Sequence, residues 1–430
     1  MTNLQEAVES SGLAVNSGPT LASANKGPTL ASANKGPTLA SANKGPTLAS
    51  ANKGEQFASF DVNAFEVPGG RDELWRFTPL KRLRGLHDGS ATPTGQADVS
   101  VAAQPGVTLE TVQRGDERLG QGGIPSDRVA AQAFSSFEQA TIVSVARNTH
   151  VEAPIEIGIN GPGAGQNAYG HLQIRLGELA EAVAVIDLRG SGTYADNVEF
   201  VVADAARLTV VWIADWADDM VHVSAHHARL GKDAVLRHVA VTLGGDVVRM
   251  AATVRFDAPG ADAELLGLYF ADAGQHLESR LLVDHAQPNC RSNVMYKGAL
   301  QGDPESRKPD AHTVWVGDVL IRAEATGTDT FEVNRNLVLT DGARADSVPN
   351  LEIETGEIVG AGHASATGRF DDEQLFYLQA RGIPEDQARR LVVRGFFGEI
   401  INKIAVPEIR DRLTDAIERE LAITESKADS

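Results

Sequence analysis

The chain has 430 residues, 42% of them hydrophobic and 5% aromatic, with a formal charge of −19 at pH 7. So large an excess of carboxylates sets up no net positive field for phosphates, which disfavours nucleic acid as the main partner. A single cysteine excludes an internal disulfide and points to a reducing cytoplasm, and no apolar run approaches the about 18 residues of a membrane span.

In chain order the first feature is a repeat. GPTLASANK occurs four times without a substitution over residues 18–53, and tandem periods often announce solenoids. Each copy carries one Leu, whose full burial would gain roughly 1.5–3 kcal/mol. Ordering nine backbone residues costs about 1 kcal/mol each or more, and Gly-Pro in every copy breaks helix and central strand alike. Residues 1–55 are therefore expected to be a disordered tail whose repeats are dispensable. Glu6 and Glu9 stand where an export signal needs basic and then apolar residues.

Residues 56–138 mix short helix-like pieces, such as RDELWRFTPLKRLRGL (71–86), with Gly/Pro/Asp-rich connections; a mostly helical N-terminal region is expected. From 139 to 365 the texture is β. In GHLQIRL, Leu172, Ile174 and Leu176 alternate with His171, Gln173 and Arg175, the period of a half-buried strand. Asp204-Ala205, Asp233-Ala234 and Asp262-Ala263 recur at equal intervals, as rungs of a stacked β-helix would. The last segment, 366–430, reads as helices. Asp371 and Asp372 can cap the first, Pro384 with Glu385 and Asp386 opens the second, and Pro407 starts the third. In the second, Leu391, Val392, Phe396 and Ile400 are read as the apolar stripe.

Familiar catalytic signatures are missing. There is no phosphate-binding Gly-x4-Gly-Lys-Ser/Thr and no Gly-x-Ser-x-Gly elbow, and the glycines of GPGAGQNAYG (161–170) suit a turn. Cys290, in QPNCRSN, reads as an uninvolved surface or turn thiol. His222, His226 and His227 resemble a metal cluster, but on a strand the first two share one face and His227 takes the other.

An ordered set of motifs is more specific. Glu73-Leu74-Trp75-Arg76-Phe77-Thr78, Pro154-Ile155, Tyr296-Lys297-Gly298, Asn334-x-Asn336-Leu337, Leu351-Glu352-Ile353, His363-Ala364, Gly368-Arg369, Asp372-Glu373-Gln374-Leu375-Phe376-Tyr377-Leu378 and Arg381-Gly382-Ile383 follow one another across residues 56–425. This set resembles the SufB/SufD proteins of the SUF iron–sulfur cluster assembly system, and more closely the SufD branch. The resemblance implies a right-handed parallel β-helix between N-terminal and C-terminal helical regions. It implies a non-catalytic subunit that pairs with a SufB-like paralogue, docks a SufC-like ABC ATPase, and serves apoprotein acceptors of clusters. By position, His363 matches a histidine at the SufB–SufD interface. Glu332 falls where many relatives carry Gln, and Asn334 where the SufB branch carries a cysteine; Ala361 stands where some SufD proteins have one.

Clusters are usually held by four thiolates, so a chain with one cysteine is expected to hold none stably by itself. Any cluster would be transient and shared with SufB, with His363 as ligand, proton acceptor or packing residue and Glu332 and Asn334 as weaker candidates. The helix around Gln387, Arg390, Leu391, Arg394, Phe396 and Phe397 is the expected ATPase-docking handle. Two other readings stay open: a β-helix polysaccharide lyase or hydrolase, and a purely structural partner subunit.

Overall fold

The structure is a computed structural model that describes residues 56–428 apart from 304, 306 and 371. The repeats at 18–53 and the expected disordered tail over 1–55 lie outside them. Two strands, β1 (Asp98–Val101) and β2 (Val107–Val112), precede helix α1 (Arg128–Ser136). Then come β3 (Ala140–Val145), β4 (Ile155–Asn160), β5 (Asn167–Leu176), β6 (Glu181–Arg189), β7 (Thr193–Val202) and β8 (Arg207–Trp216). The middle holds β9 (Val221–Leu230), β10 (Val235–Gly244), β11 (Val247–Phe256), β12 (Asp262–Ala271) and β13 (His276–His285). After β14 (Arg291–Leu300), β15 (Ala311–Ile321), β16 (Asp329–Val338), β17 (Ala343–Ile353) and β18 (Gly360–Arg369) come α2 (Asp372–Gln379), α3 (Glu385–Ile401) and α4 (Pro407–Ala428).

Strands alternate between two sheets. One runs β1-β4-β6-β8-β10-β12-β14-β16-β18, the other β17-β15-β13-β11-β9-β7-β5-β3-β2. Apart from β1 on β4 and β2 on β3, which are antiparallel, all neighbours are parallel. This is the β-helix expected from the texture.

The interval expected from the sequence is close to the length of a rung. Arg207, Val235 and Asp262 stack as direct register partners on one sheet, and Val221, Val247 and His276 do so on the other. The Asp-Ala pairs themselves are out of register. Ala205 and Asp233 turn the same corner of successive rungs, each with φ 53°, whereas Asp262 opens β12. The corner recurs in left-handed conformation at Asn148, Leu179, Gly260, Asn289 and Gly327. Each amide donates to a carbonyl of the next rung, as Ala205 does to Lys232 and Asp233 to Pro259.

Leu208, Leu236 and Ala263 occupy equivalent interior positions and are buried. The outer faces are also apolar, which is why the strands read as near-continuous runs. Val211, Val239, Leu266 and Leu268 pack against Val393, Phe397, Ile400 and Leu413 of α3 and α4. On the other sheet, Tyr169, Ala195, Val221 and Val247 are covered by Trp75, Leu83, Leu86, Val129 and Phe137.

Three expectations need correction. Residues 56–138 are not mostly helical: they hold α1, two strands and two 3-10 turns, Val62–Ala64 and Leu80–Leu83. Within 71–86, Pro79 lacks an amide donor and Gly85 sits at φ 86°, so the segment breaks into turns that seat Trp75, Leu83 and Leu86 on the sheet. The buried stripe of α3 is Ala388, Val393, Phe397, Ile400 and Ile401, while Leu391 is 50% exposed; the sheet selects a face that the helix sequence alone leaves ambiguous. Cys290, read as a surface or turn thiol, does lie at a turn, the corner before β14, but it is buried there rather than exposed.

Candidate functional site

The two ends of the β-helix differ. Antiparallel β1 and β2 continue the sheets at one end. At the other, β17 and β18 are the last strands of their sheets, so their outer edges carry unpaired backbone groups and the lumen opens there.

Inward positions of β16 lie directly beneath this opening. Glu332 pairs in register with His363, Asn334 with Ser365 and Asn336 with Thr367. With no rung above it among the described residues, the His363 side chain is 44% exposed, whereas that of Glu332 is 1% exposed. His363 Nδ1 lies 3.8 Å from Glu332 Oε1, beyond hydrogen-bond range, and neither oxygen of Glu332 makes a well-formed hydrogen bond. Burial, reinforced by the charge of Asp318 and only partly offset by the Asn350 amide, pushes the Glu332 carboxyl up to about 8, so it keeps its proton at neutral pH. Gly317 on β15 makes the room: a Cβ there would come within 2.5 Å of Glu332 Oε2 and would also meet the Trp315 ring. The geometry therefore sets an exposed imidazole above a buried acid that keeps its proton.

Asn334 has a different part. Its Nδ2 donates to Tyr269 Oη (2.8 Å) and to the Tyr296 carbonyl (3.2 Å), and its Oδ1 accepts from Asn336 Nδ2 (2.7 Å) and Ser347 Oγ (2.5 Å). Tyr269 Oη in turn donates to Asn336 Oδ1 (2.7 Å). The Asn334 amide is a strut that braces the last rungs, with its polar atoms engaged. Tyr269, Ser347 and Gly317 are site residues that sequence reading missed, since nothing local in the chain marks them as neighbours of Glu332 and Asn334.

No thiol reaches this end. Cys290 precedes β14, two strands in from the edge, where its Sγ donates to the Ala258 carbonyl at 3.5 Å and burial raises its pKa. The three histidines of β9 also separate. His222 Nε2 meets Asp196 (3.1 Å), His226 Nδ1 meets His238 Nε2 (3.0 Å), and His227 lies on the opposite face beside Gly123. Among the described residues no group of three or more His, Cys, Asp or Glu is placed to hold a metal ion.

The docking candidates on α3 are split by the sheet. Phe397 is fully buried. Phe396 is half-buried, with Lys297 Nζ 5.0 Å from its ring and donating to its carbonyl at 2.8 Å. Neither presents its ring as a free docking surface. Gln387, Leu391 and Arg394 face solvent, and Arg390 is half-buried. Beside them α2 exposes Phe376 (71%) and Tyr377 (49%), with Arg381 stacked 4.5 Å over the Tyr377 ring.

The fold is that of a parallel β-helix protein whose open end carries His363 above Glu332. Residues 159–396 match the SUF system FeS cluster assembly SufBD core domain. An iron–sulfur cluster assembly SufBD family protein of Mycobacterium bovis is 80% identical over 370 residues, covering 86% of this chain and 93% of that one. One of Mycobacterium leprae is 76% identical over 372 residues, 86% and 95% of the two chains. The chain thus belongs to the SufBD family of iron–sulfur cluster assembly proteins. A second Mycobacterium bovis protein of this family is more distant: 27% identical over 207 residues, 48% of this chain and 24% of that one. Family membership argues against the polysaccharide lyase or hydrolase reading. Among the described residues, no helix is long and apolar enough to cross a membrane.

Proposed function

We propose that this chain is the SufD-type, thiol-poor subunit of a cytoplasmic SufB–SufC–SufD complex that builds nascent iron–sulfur clusters and passes them to apoproteins. The observation that carries the reading is the uncapped end of the β-helix, where exposed His363 stands over protonated Glu332 with no cysteine nearby. A thiol-bearing SufB-like paralogue that stacks its own rungs on β17 and β18 would satisfy the open backbone edge. It would also bring sulfur ligands to His363. In that arrangement the cluster is cargo shared at the junction; this chain adds an imidazole and a proton reservoir and catalyses no reaction alone. The co-existence of two diverged family members in Mycobacterium bovis supports a paired assembly.

The exposed face of α2 and α3, with Phe376, Tyr377, Gln387, Leu391 and Arg394, is the handle for a SufC-like ATPase. Because α3 rests on the same sheet that ends in β18, displacement of the helices is transmitted toward the open end.

Co-expression with a SufB-like paralogue and an ABC-type ATPase tests the assembly. A stable ternary complex is expected, and H363A should keep it intact while lowering cluster formation, read from visible absorbance under anaerobic reconstitution. Normal cluster yield from the H363A complex, or failure of the three chains to associate, would refute the proposal.

A further inference from the structure

A second group of histidines lies outside the lumen, on the outer face of the sheet that contains β13, β15 and β17. His276 and His312 are register partners on β13 and β15, and their Nδ1 atoms are 3.1 Å apart. The opposite nitrogens are both taken. His276 Nε2 lies 3.2 Å from Glu278 Oε2, and His312 Nε2 lies 2.8 Å from Asp346 Oδ2. Each carboxylate is itself held, Glu278 by the hydroxyl of Thr78 at 2.7 Å and Asp346 by Arg344 at 3.0 Å.

A carboxylate on Nε2 fixes the tautomer: the proton sits on Nε2 and the Nδ1 lone pair points away from it. Both rings are then left with an Nδ1 lone pair, and the two nitrogens lie 3.1 Å apart. Two facing lone pairs repel, so a cation between them completes the pair: one further proton, as in an N–H···N bond, or a metal ion that replaces it. The ring centroids are only 4.8 Å apart and the planes 66° to each other, so the nitrogens do not meet head-on as in a straight N–H···N bond. At the roughly 2.0–2.1 Å of an imidazole–zinc bond, nitrogens 3.1 Å apart subtend about 100° at a shared ion.

We infer that His276 and His312 form a binding site for a divalent first-row transition-metal ion, held through both Nδ1 atoms and oriented by Glu278 and Asp346. Imidazole pairs suit zinc, iron, nickel and copper. The entry path is a cleft of about 250 Å³ lined also by Phe77, Arg82, Pro309, Asp310 and Arg344. His312, with 22% of its side chain exposed, stands at the mouth, and His276, at 2%, forms the floor. The two guanidiniums do not oppose a cation with unbalanced charge, because Arg82 is paired with Asp246 and Arg344 with Asp346. Since no third protein ligand completes the set among the described residues, the remaining positions fall to water or a small anion in the cleft. The site is open and its ion exchangeable.

The purified full chain, without partners, should bind one equivalent of Zn²⁺ or Co²⁺ near neutral pH, measured by titration calorimetry and by the Co²⁺ absorption bands of imidazole coordination. H312Q should weaken that binding at least tenfold, and D346N, which keeps both ligands, by about 10–100-fold. H150Q, at an exposed histidine outside the cleft, should bind as the wild type does. Circular dichroism checks that each variant is folded. The inference is overturned if the wild type binds no ion, if H312Q and D346N bind unchanged, or if H150Q abolishes binding. Because no partner is present, the result is independent of the SufD-type reading.

Discussion

Glu332 is a residue whose environment departs far from what its type prefers. In the unfolded chain its carboxyl ionises at the ordinary value of 4.5; in the folded chain burial and Asp318 hold it protonated up to about 8. Below 4.5 both states are protonated and the group tolerates burial. As pH rises from there through 8 the unfolded state alone is free to lose the proton, so folding becomes less favourable. The loss is at most about 5 kcal/mol at 1.36 kcal/mol per unit. E332Q should therefore show a flatter fall in melting temperature than the wild type between pH 5 and pH 9, and identical slopes would contradict the buried-acid assignment. Arg249 is the opposite case, a buried charge with compensation. It is 2% exposed, lies 4.0 Å over the Trp75 ring, donates to the Leu74 carbonyl at 3.2 Å, and pairs with Asp127 and Glu278. It ties the N-terminal turns to the sheet. R249A should cost about 3–5 kcal/mol in denaturant unfolding, and a loss below about 1 kcal/mol would mean that those turns are held by other contacts.

At the scale of elements, the corners and the C-terminal helices make different demands. Leu179 turns its corner at φ 58° with 58% of its surface exposed, so it bears left-handed strain of about 1–2 kcal/mol without burial in return. L179G should raise stability by about 0.5–1 kcal/mol, seen as a higher melting temperature, after glycine's own backbone cost is subtracted. Cutting the chain after Phe370 is a poor probe of the proposed docking handle. It would uncover Val211, Val239, Leu266 and Leu268, which α3 and α4 bury, and aggregation would follow. Point changes separate the two roles. F397A should cost about 3–5 kcal/mol of stability, whereas F376A and L391A should melt within about 0.5 kcal/mol of the wild type and weaken ATPase association in pull-down. Wild-type association of the F376A/L391A double variant would move the docking surface elsewhere.

For the molecule as a whole, the controlling fact is the asymmetry of its ends. A long, regular parallel edge, as β17 and β18 present, templates further strands unless something covers it. Without a paralogue the chain should self-associate through this edge as concentration rises, and A366K, on an exposed position of β18, should sediment as a monomer under the same conditions. If wild type and A366K sediment alike at every concentration, the edge is not the association surface. Deleting residues 18–53 should leave partner assembly unchanged, since each copy of the repeat has one sizeable apolar side chain.

Much of the β-helix was legible in the chain because its rungs are local: short apolar runs broken by Gly, Asp and Asn mark the strands, and the even spacing of the Asp-Ala pairs approximates the return to the same corner. Thiol scarcity was equally legible, since it needs only a count, and so was the family, whose motifs keep their order along the chain. What the sequence could not show are relations across rungs. Glu332 and His363 are a full rung apart along the chain and meet because β16 and β18 stack in that register; His276 and His312 meet for the same reason on the other sheet. The face that α3 buries, the depth of Cys290 and the strut role of Asn334 were likewise decided by packing, because the energy of burial belongs to the pair of surfaces and not to either stretch of chain alone.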